Sequence, residues 1–282
     1  MVITYRDALS SGNKLLKDKG IDTVCDARVL LCHAAKIDTL RLTLCANEPI
    51  PDAVYSQFLE YISRRISREP VSYITGVREF MGLDFKVAPG VLIPRPETEH
   101  TVEYIISLLK EKNADILDLC TGSGAIALSL AKYLPKSRIT AVDISEKAIS
   151  IASENATRLK VDDRVTIACA NVLEKIDFGK KFDVIASNPP YIPNNEVLSL
   201  DPDVRVYEPH LALCGGDDGL SFYRAITKSA PDLLKNGGSL VYEVGYDQAE
   251  QVAQIMKNDF ENIGFEKDLA GINRVVHGTL KY

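Results

Sequence analysis

Apolar positions recur along this chain with two different periods, and the changes between them divide it. Over residues 1–75 the period is helical. Ala27, Leu30, Leu31 and Ala34 fall at i, i+3, i+4 and i+7, and Phe58, Tyr61, Ile62 and Ile66 share one face of a long helix after Pro51. Thr4 is placed to cap an earlier helix that ends at Gly20. Arg64, Arg65 and Arg68 crowd the last turns of the long helix, where a helix C-terminus favours cations. These runs predict a small helical bundle whose work is recognition. Residues 76–96 switch to period two: Leu83, Phe85 and Val87 alternate with Asp84 and Lys86, between turn residues at Glu79-Phe80-Met81-Gly82 and Pro89-Gly90. A β-hairpin linker is the economical reading.

From residue 97 to 282, short branched runs alternate with helical stretches. Strands are predicted at Ala114–Cys120, Arg138–Val142, Arg164–Cys169, Phe182–Ala186 and Gly238–Val244. Helices are predicted at Glu99–Lys110, from Ala125, and at Ser145–Leu159, Gly219–Leu234 and Gln248–Asp259. Strands spaced by helices of this length make a parallel α/β sheet covered on both faces. Phe265–Leu269 and Arg274–Leu280 close it as a terminal hairpin.

Composition narrows the class. A chain of 282 residues with 46% apolar content can bury a sizeable core and is expected to form one large and one small domain. It has no apolar run of membrane length and no leader pattern at Met1–Arg6, so a cytoplasmic protein without a membrane partner is expected. Its six cysteines show no C-x-x-C spacing and its four histidines are scattered, which predicts no metal site. A net charge of −6 argues against a large nucleic-acid footprint.

The chemistry begins with a glycine turn, Thr121-Gly122-Ser123-Gly124, between a strand and a helix. Glycines there let backbone approach a ligand closely. Asp143, about twenty residues later at a strand end, can take both hydroxyls of a ribose. The spacing alone leaves a dinucleotide and a sulfonium nucleoside open. The third glycine of the dinucleotide pattern is missing, however, because Gly124 runs into Ala125-Ile126-Ala127. Asp118 beside the loop also suits a cationic ligand better than a pyrophosphate. These favour S-adenosylmethionine, with Asn171 or Val172 after the third strand edging the adenine.

Asn188-Pro189-Pro190-Tyr191 follows the strand Phe182–Ala186. Two prolines cannot continue a ladder, and the first holds Asn188 extended beyond the strand's carboxyl end, where open α/β sheets bind ligands. An NH2 group on a planar system is a poor nucleophile. The Asn188 side-chain oxygen and the Pro189 carbonyl can each accept one of its N–H bonds, while Asn188 also borders the cofactor. Tyr191 supplies a flat face for stacking. Arg95 and Glu97, in a proline-bracketed segment, either border this site or stitch the domains together; the sequence leaves both open.

These residues resemble the PrmC/HemK methyltransferases. The likeness runs through Tyr73-Ile74-Thr75-Gly76, Val91–Glu99, Asp118–Ala127, Ser187–Ile192, Glu208-Pro209, Gly215-Gly216, Asp218-Gly219-Leu220 and Phe222-Tyr223-Arg224. It implies a Rossmann-like class I S-adenosylmethionine-dependent methyltransferase fold with a small N-terminal helical domain. It implies methylation of the side-chain amide nitrogen of the glutamine in the GGQ motif of peptide-chain release factors, with S-adenosylhomocysteine as product. By resemblance the cofactor loop falls on Cys120, Thr121, Gly122, Ser123 and Gly124, the ribose acid on Asp143, and the substrate pocket on Asn188, Pro189, Pro190 and Tyr191. The helical domain would help dock the release factor, and a monomer without stable nucleic acid is expected.

Two positions depart from the family pattern. Many members carry glycine where this chain has Cys120, which predicts that the backbone there needs no positive φ. Some carry an aromatic residue near position 172, and Val172 offers no such stacking surface. Two rival functions share the motifs: an adenine N6 amino-methyltransferase acting on DNA or RNA, and a non-catalytic adapter that senses the cofactor.

Overall fold

The computed structural model describes residues 2–21, 25–110 and 112–282, and the chain divides into two compact units. The first comprises Met1–Val77 with Asp201–Tyr207. Its helices are α1 (Tyr5–Asp18), α2 (Asp26–Ala35), α3 (Thr39–Leu44), α4 (Asp52–Ile66) and α5 (Val71–Thr75), with the short helix Pro202–Tyr207 counted as α9 in chain order. Thr4 caps α1 reciprocally: the Asp7 N–H donates to Thr4 Oγ1 at 3.2 Å, and the Thr4 N–H donates to Asp7 Oδ2 at 3.0 Å. Ala27, Leu30 and Leu31 of α2 meet Phe58 and Ile62 of α4 in one buried cluster, as the helical spacing predicts.

The arginines at the end of α4 are held differently from the expectation. Arg65 is buried between Asp26 and Asp203, each 2.7 Å away, and Arg64 pairs with Glu69. Carboxylates brought in from α2 and α9, rather than the helix terminus alone, neutralise the cluster. Neither α3 nor α5 was anticipated; both are too short to show a full apolar period.

The second unit spans Arg78–Leu200 and Glu208–Tyr282. Strands β1 (Val77–Phe80) and β2 (Leu83–Lys86) form a two-stranded sheet. Then come α6 (Glu99–Leu109), β3 (Asp115–Leu119), α7 (Ala125–Tyr133), β4 (Arg138–Asp143), α8 (Glu146–Leu159), β5 (Val165–Cys169) and β6 (Phe182–Ser187). After α9, α10 (Ser221–Leu233), β7 (Leu234–Glu243), α11 (Ala249–Met256), β8 (Phe260–Lys267) and β9 (Asn273–Leu280) complete the chain. The large sheet has the order β5-β4-β3-β6-β7-β9-β8, parallel from β5 to β7 and antiparallel where β9 pairs with β7 and β8.

Alternate strand residues feed two cores, because successive side chains leave a strand on opposite faces. Ile116, Val184, Ala186 and Val241 pack against α6 and α7; Leu117, Leu119, Ile185 and Tyr242 pack against α10 and α11. The strand order reverses between β3 and β6. A crevice therefore opens beyond their carboxyl ends, the position at which open α/β sheets bind ligands. Among the described residues, no helix is long and apolar enough to cross a membrane.

Candidate active site

Beyond β3 the chain turns through three positive φ angles, at Cys120 (62°), Gly122 (57°) and Gly124 (84°). The expectation that cysteine at 120 avoids this region is therefore wrong. A left-handed non-glycine residue costs about 1–2 kcal/mol, and the loop carries that strain while its neighbours hold it. The Thr121 N–H donates to the Val142 carbonyl at 2.9 Å, and the Ser187 hydroxyl donates to the Leu119 carbonyl at 2.7 Å, joining the ends of β6 and β3.

Asp118 supports the loop from beneath. Its Oδ2 accepts the Thr121 hydroxyl at 2.5 Å and the Ala127 N–H at 3.2 Å, while Oδ1 is buried without a partner. Burial pushes its carboxyl up to about 7 against the pull of those hydrogen bonds. Asp118 is absent from the lining of the adjacent cavity. The charge read from the sequence as facing a ligand is turned toward the start of α7.

The loop opens on a cavity of about 180 Å³. Of the residues singled out from the sequence, Cys120, Thr121, Gly122, Ser123, Asp143, Asn171, Val172, Asn188, Pro190 and Arg95 line it; Gly124, Pro189, Tyr191 and Glu97 do not. A Cβ on Gly122 would meet nothing within 4 Å, so bare backbone faces open space there. Gly124 is required for another reason: a Cβ on it would lie 2.8 Å from Leu128 Cδ1 in the following helix.

Asp143 is fixed by two backbone donors, Gly122 N–H to Oδ2 at 2.8 Å and Ser145 N–H to Oδ1 at 2.9 Å. Burial raises its carboxyl above the usual range, and these bonds oppose the rise. Each oxygen retains a further lone pair for a ligand hydroxyl.

Asn188 is half-buried at the far wall. Its Nδ2 donates to Thr98 Oγ1 at 3.2 Å, so the amide carbonyl is the end that remains for the cavity. Pro189 and Pro190 are buried. Tyr191 packs half-buried against the α10–α11 core, and its carbonyl accepts Gln248 Nε2–H at 2.9 Å. Arg95 donates to Glu208 Oε1 at 2.6 Å. Glu97 lies within electrostatic reach of Tyr191 and Glu243.

Sequence reading passed over Thr98, Ile144 and Leu211, which also line the cavity, and Glu243 behind it. Glu243 left one trace, a lone acid inside the apolar run Leu240-Val241-Tyr242-Glu243-Val244.

Known proteins share this architecture. Residues 7–76 match the PrmC N-terminal domain family and residues 83–200 the Methyltransferase small domain family. A release factor glutamine methyltransferase of Clostridium acetobutylicum is 42% identical over 275 residues, covering 96% of this chain and 96% of its own. A methyltransferase from Pyrococcus furiosus superposes with a TM-score of 0.55 at 18% identity, over 78% of this chain and 98% of that one. A T. thermophilus 16S rRNA methyltransferase, solved with AdoMet and guanosine, gives a TM-score of 0.53 at 18% identity, over 73% of this chain and 50% of that one. The last two likenesses are of fold.

Proposed function

The chain belongs to the release factor glutamine methyltransferase family, and from that premise we propose that its cavity holds S-adenosylmethionine beside the side-chain amide of a release-factor GGQ glutamine. One observation carries the reading: a left-handed glycine loop, a carboxylate at a strand end and an asparagine whose NH2 end is already engaged line one cavity.

The residues present fit that cofactor. Among the described residues that line the cavity, Arg95 is the one cation, and Glu208 neutralises it. A pyrophosphate would find little to hold it, whereas a cationic sulfonium meets Asp143 and neutral walls. Asp143 would bind the ribose hydroxyls, Gly122 would let backbone approach the ligand, and Asn171 and Val172 would border the adenine. Of the outer residues, Gly124 keeps the loop seated on its helix.

When bound, S-adenosylmethionine supplies an electrophilic methyl group for in-line displacement, leaving S-adenosylhomocysteine. The chain's own residues supply orientation. Asn188 Oδ1 and the Pro189 carbonyl accept the two N–H bonds of the glutamine amide, aiming the nitrogen and favouring the charge it gains. Pro190 and Tyr191 fix the strap that carries them. The proton leaves after transfer, so the chain needs no general base. The helical unit docks the release factor, and the enzyme acts as a cytoplasmic monomer without a stable nucleic-acid partner.

The test is mass spectrometry of tryptic release-factor peptides after incubation with S-adenosylmethionine. One added methyl on the GGQ glutamine is expected. Methylation of adenine in duplex DNA, with the peptide unchanged, would replace this reading with the nucleic-acid alternative.

A further inference from the structure

Glu243 ends β7 beside the end of β6, since Ser187 pairs with Tyr242 and the next residues are Asn188 and Glu243. It is 2% exposed, and its Oε2 has no hydrogen-bond partner. The Thr98 hydroxyl and the Asn188 amide lie close enough to its carboxylate to favour the charged form. Thr98 Oγ1 in turn accepts Asn188 Nδ2–H at 3.2 Å. A buried acid at this depth is costly unless its surroundings use it.

An asparagine amide is nearly symmetric in shape, and either end can face a cavity. Only its neighbours distinguish them. Here they do. An ionised carboxylate is acceptor-only, so the single Thr98 proton goes to Glu243 and leaves Thr98 Oγ1 as an acceptor. Both groups behind Asn188 then demand N–H bonds, and the NH2 end must face inward.

We propose that Glu243 is a positioning residue: through Thr98 and the pull of its own charge it holds the Asn188 amide with Oδ1 toward the substrate nitrogen. This rests on the functional reading above, because that orientation matters only if Asn188 accepts an N–H from substrate. Without an acceptor at 243, the Thr98 proton is free to turn toward the Asn188 carbonyl, and the amide loses the bias that fixes its orientation. Turned over, it would present N–H to an N–H.

Protonation of Glu243 has a related effect. Burial raises this carboxyl to about 7, with the Thr98 hydroxyl opposing, Glu97 raising it further, and Arg274 and the Asn188 amide lowering it; Tyr191 also lies within its field. A protonated Glu243 can donate as well as accept, so the lock weakens as pH falls through that region.

Two variants separate positioning from structure, assayed by kcat for methyl transfer to a release factor, S-adenosylmethionine affinity and melting temperature. Glu243→Met keeps the volume and removes the acceptor. It should lower kcat about 100-fold, the scale of losing one hydrogen bond made in the transition state, with melting temperature maintained and cofactor affinity unchanged. Glu243→Gln retains a carbonyl acceptor. It should keep kcat within about fivefold of wild type at pH 8, a loss under about 1 kcal/mol, and abolish the fall in kcat below pH 7. An active wild type with an equally active Met variant, or a Gln variant that keeps the acidic limb, overturns the proposal. So does a Met variant that loses cofactor binding and stability together with turnover. A wild type that leaves the glutamine unmethylated removes the underlying reading, and this proposal with it.

Discussion

Gly215 lies so close to Tyr191 that a Cβ on it would be 2.7 Å from the Tyr191 Cα and 2.8 Å from the Pro190 carbonyl oxygen. The two segments are also laced together by backbone bonds: Ile192 N–H donates to Leu213 at 3.0 Å, and Gly215 N–H donates to Ile192 at 2.8 Å. The loop after α9 thus braces the strap that carries Asn188, from more than twenty residues away in sequence.

Gly215→Ala should therefore act on the site at a distance. Backbone atoms cannot swing aside as a side chain can, so Pro190–Tyr191 must shift. Overpacking of this kind costs about 1–3 kcal/mol, and a misplacement near 1 Å lowers a positioned reaction about 100-fold. Steady-state kinetics should show kcat falling while S-adenosylmethionine affinity stays within about threefold, under 1 kcal/mol. Wild-type kcat in this variant would show that the strap tolerates displacement.

Asp143→Ala should weaken S-adenosylmethionine binding roughly 10- to 100-fold, the loss of one or two hydrogen bonds to a charged group. The Gly122 and Ser145 N–H groups lose their acceptor as well. Calorimetric titration reads this directly; an unchanged affinity would mean that the carboxylate serves only the loop.

Cys120 reports on backbone strain. Cys120→Gly relieves the left-handed penalty of about 1–2 kcal/mol but adds about 0.5–1 kcal/mol of chain entropy and forfeits side-chain burial. The net should lie within about 1 kcal/mol of wild type by urea unfolding. Cys120→Val places a β-branched residue at φ 62°, where such residues are worst tolerated, and should destabilise by about 2 kcal/mol. A valine variant as stable as wild type contradicts the strain.

Much of this architecture was legible in sequence because period and punctuation agree locally. The helix faces of Ala27–Ala34 and Phe58–Ile66, the branched strands and the Gly122–Gly124 turn each depend on near neighbours. What escaped depends on how the folded chain arranges them. The cysteine at position 120 gave no warning of its φ, since the next residue is tied to Val142 on another strand. The pairing of Arg65 with Asp203 joins residues 138 apart in number, and nothing in α4 marks it. Asp118 looked like a ligand-facing charge because its neighbours in sequence line a cavity; its hydrogen bonds to Thr121 and Ala127 turn it inward.

That burial makes stability depend on pH in a defined direction. Asp118 rises from 3.8 to about 7 on folding, so between those values the native state holds a proton that the unfolded chain has released. The contribution is fully present below the unfolded value and is lost as pH rises toward 7. Asp118→Asn removes this component. Urea midpoints measured from pH 4 to 7 should fall less steeply for the variant than for wild type; parallel profiles would mean that the carboxyl ionises normally.

The most direct test of the account is Asn188→Ala, measured for methyl transfer to the GGQ glutamine and, in parallel, for S-adenosylmethionine binding by calorimetry. Loss of the amide oxygen should reduce turnover by at least about 100-fold while the cofactor still binds within a few-fold of wild type. Undiminished methyl transfer by that variant would contradict the claim that this side chain orients the attacking nitrogen.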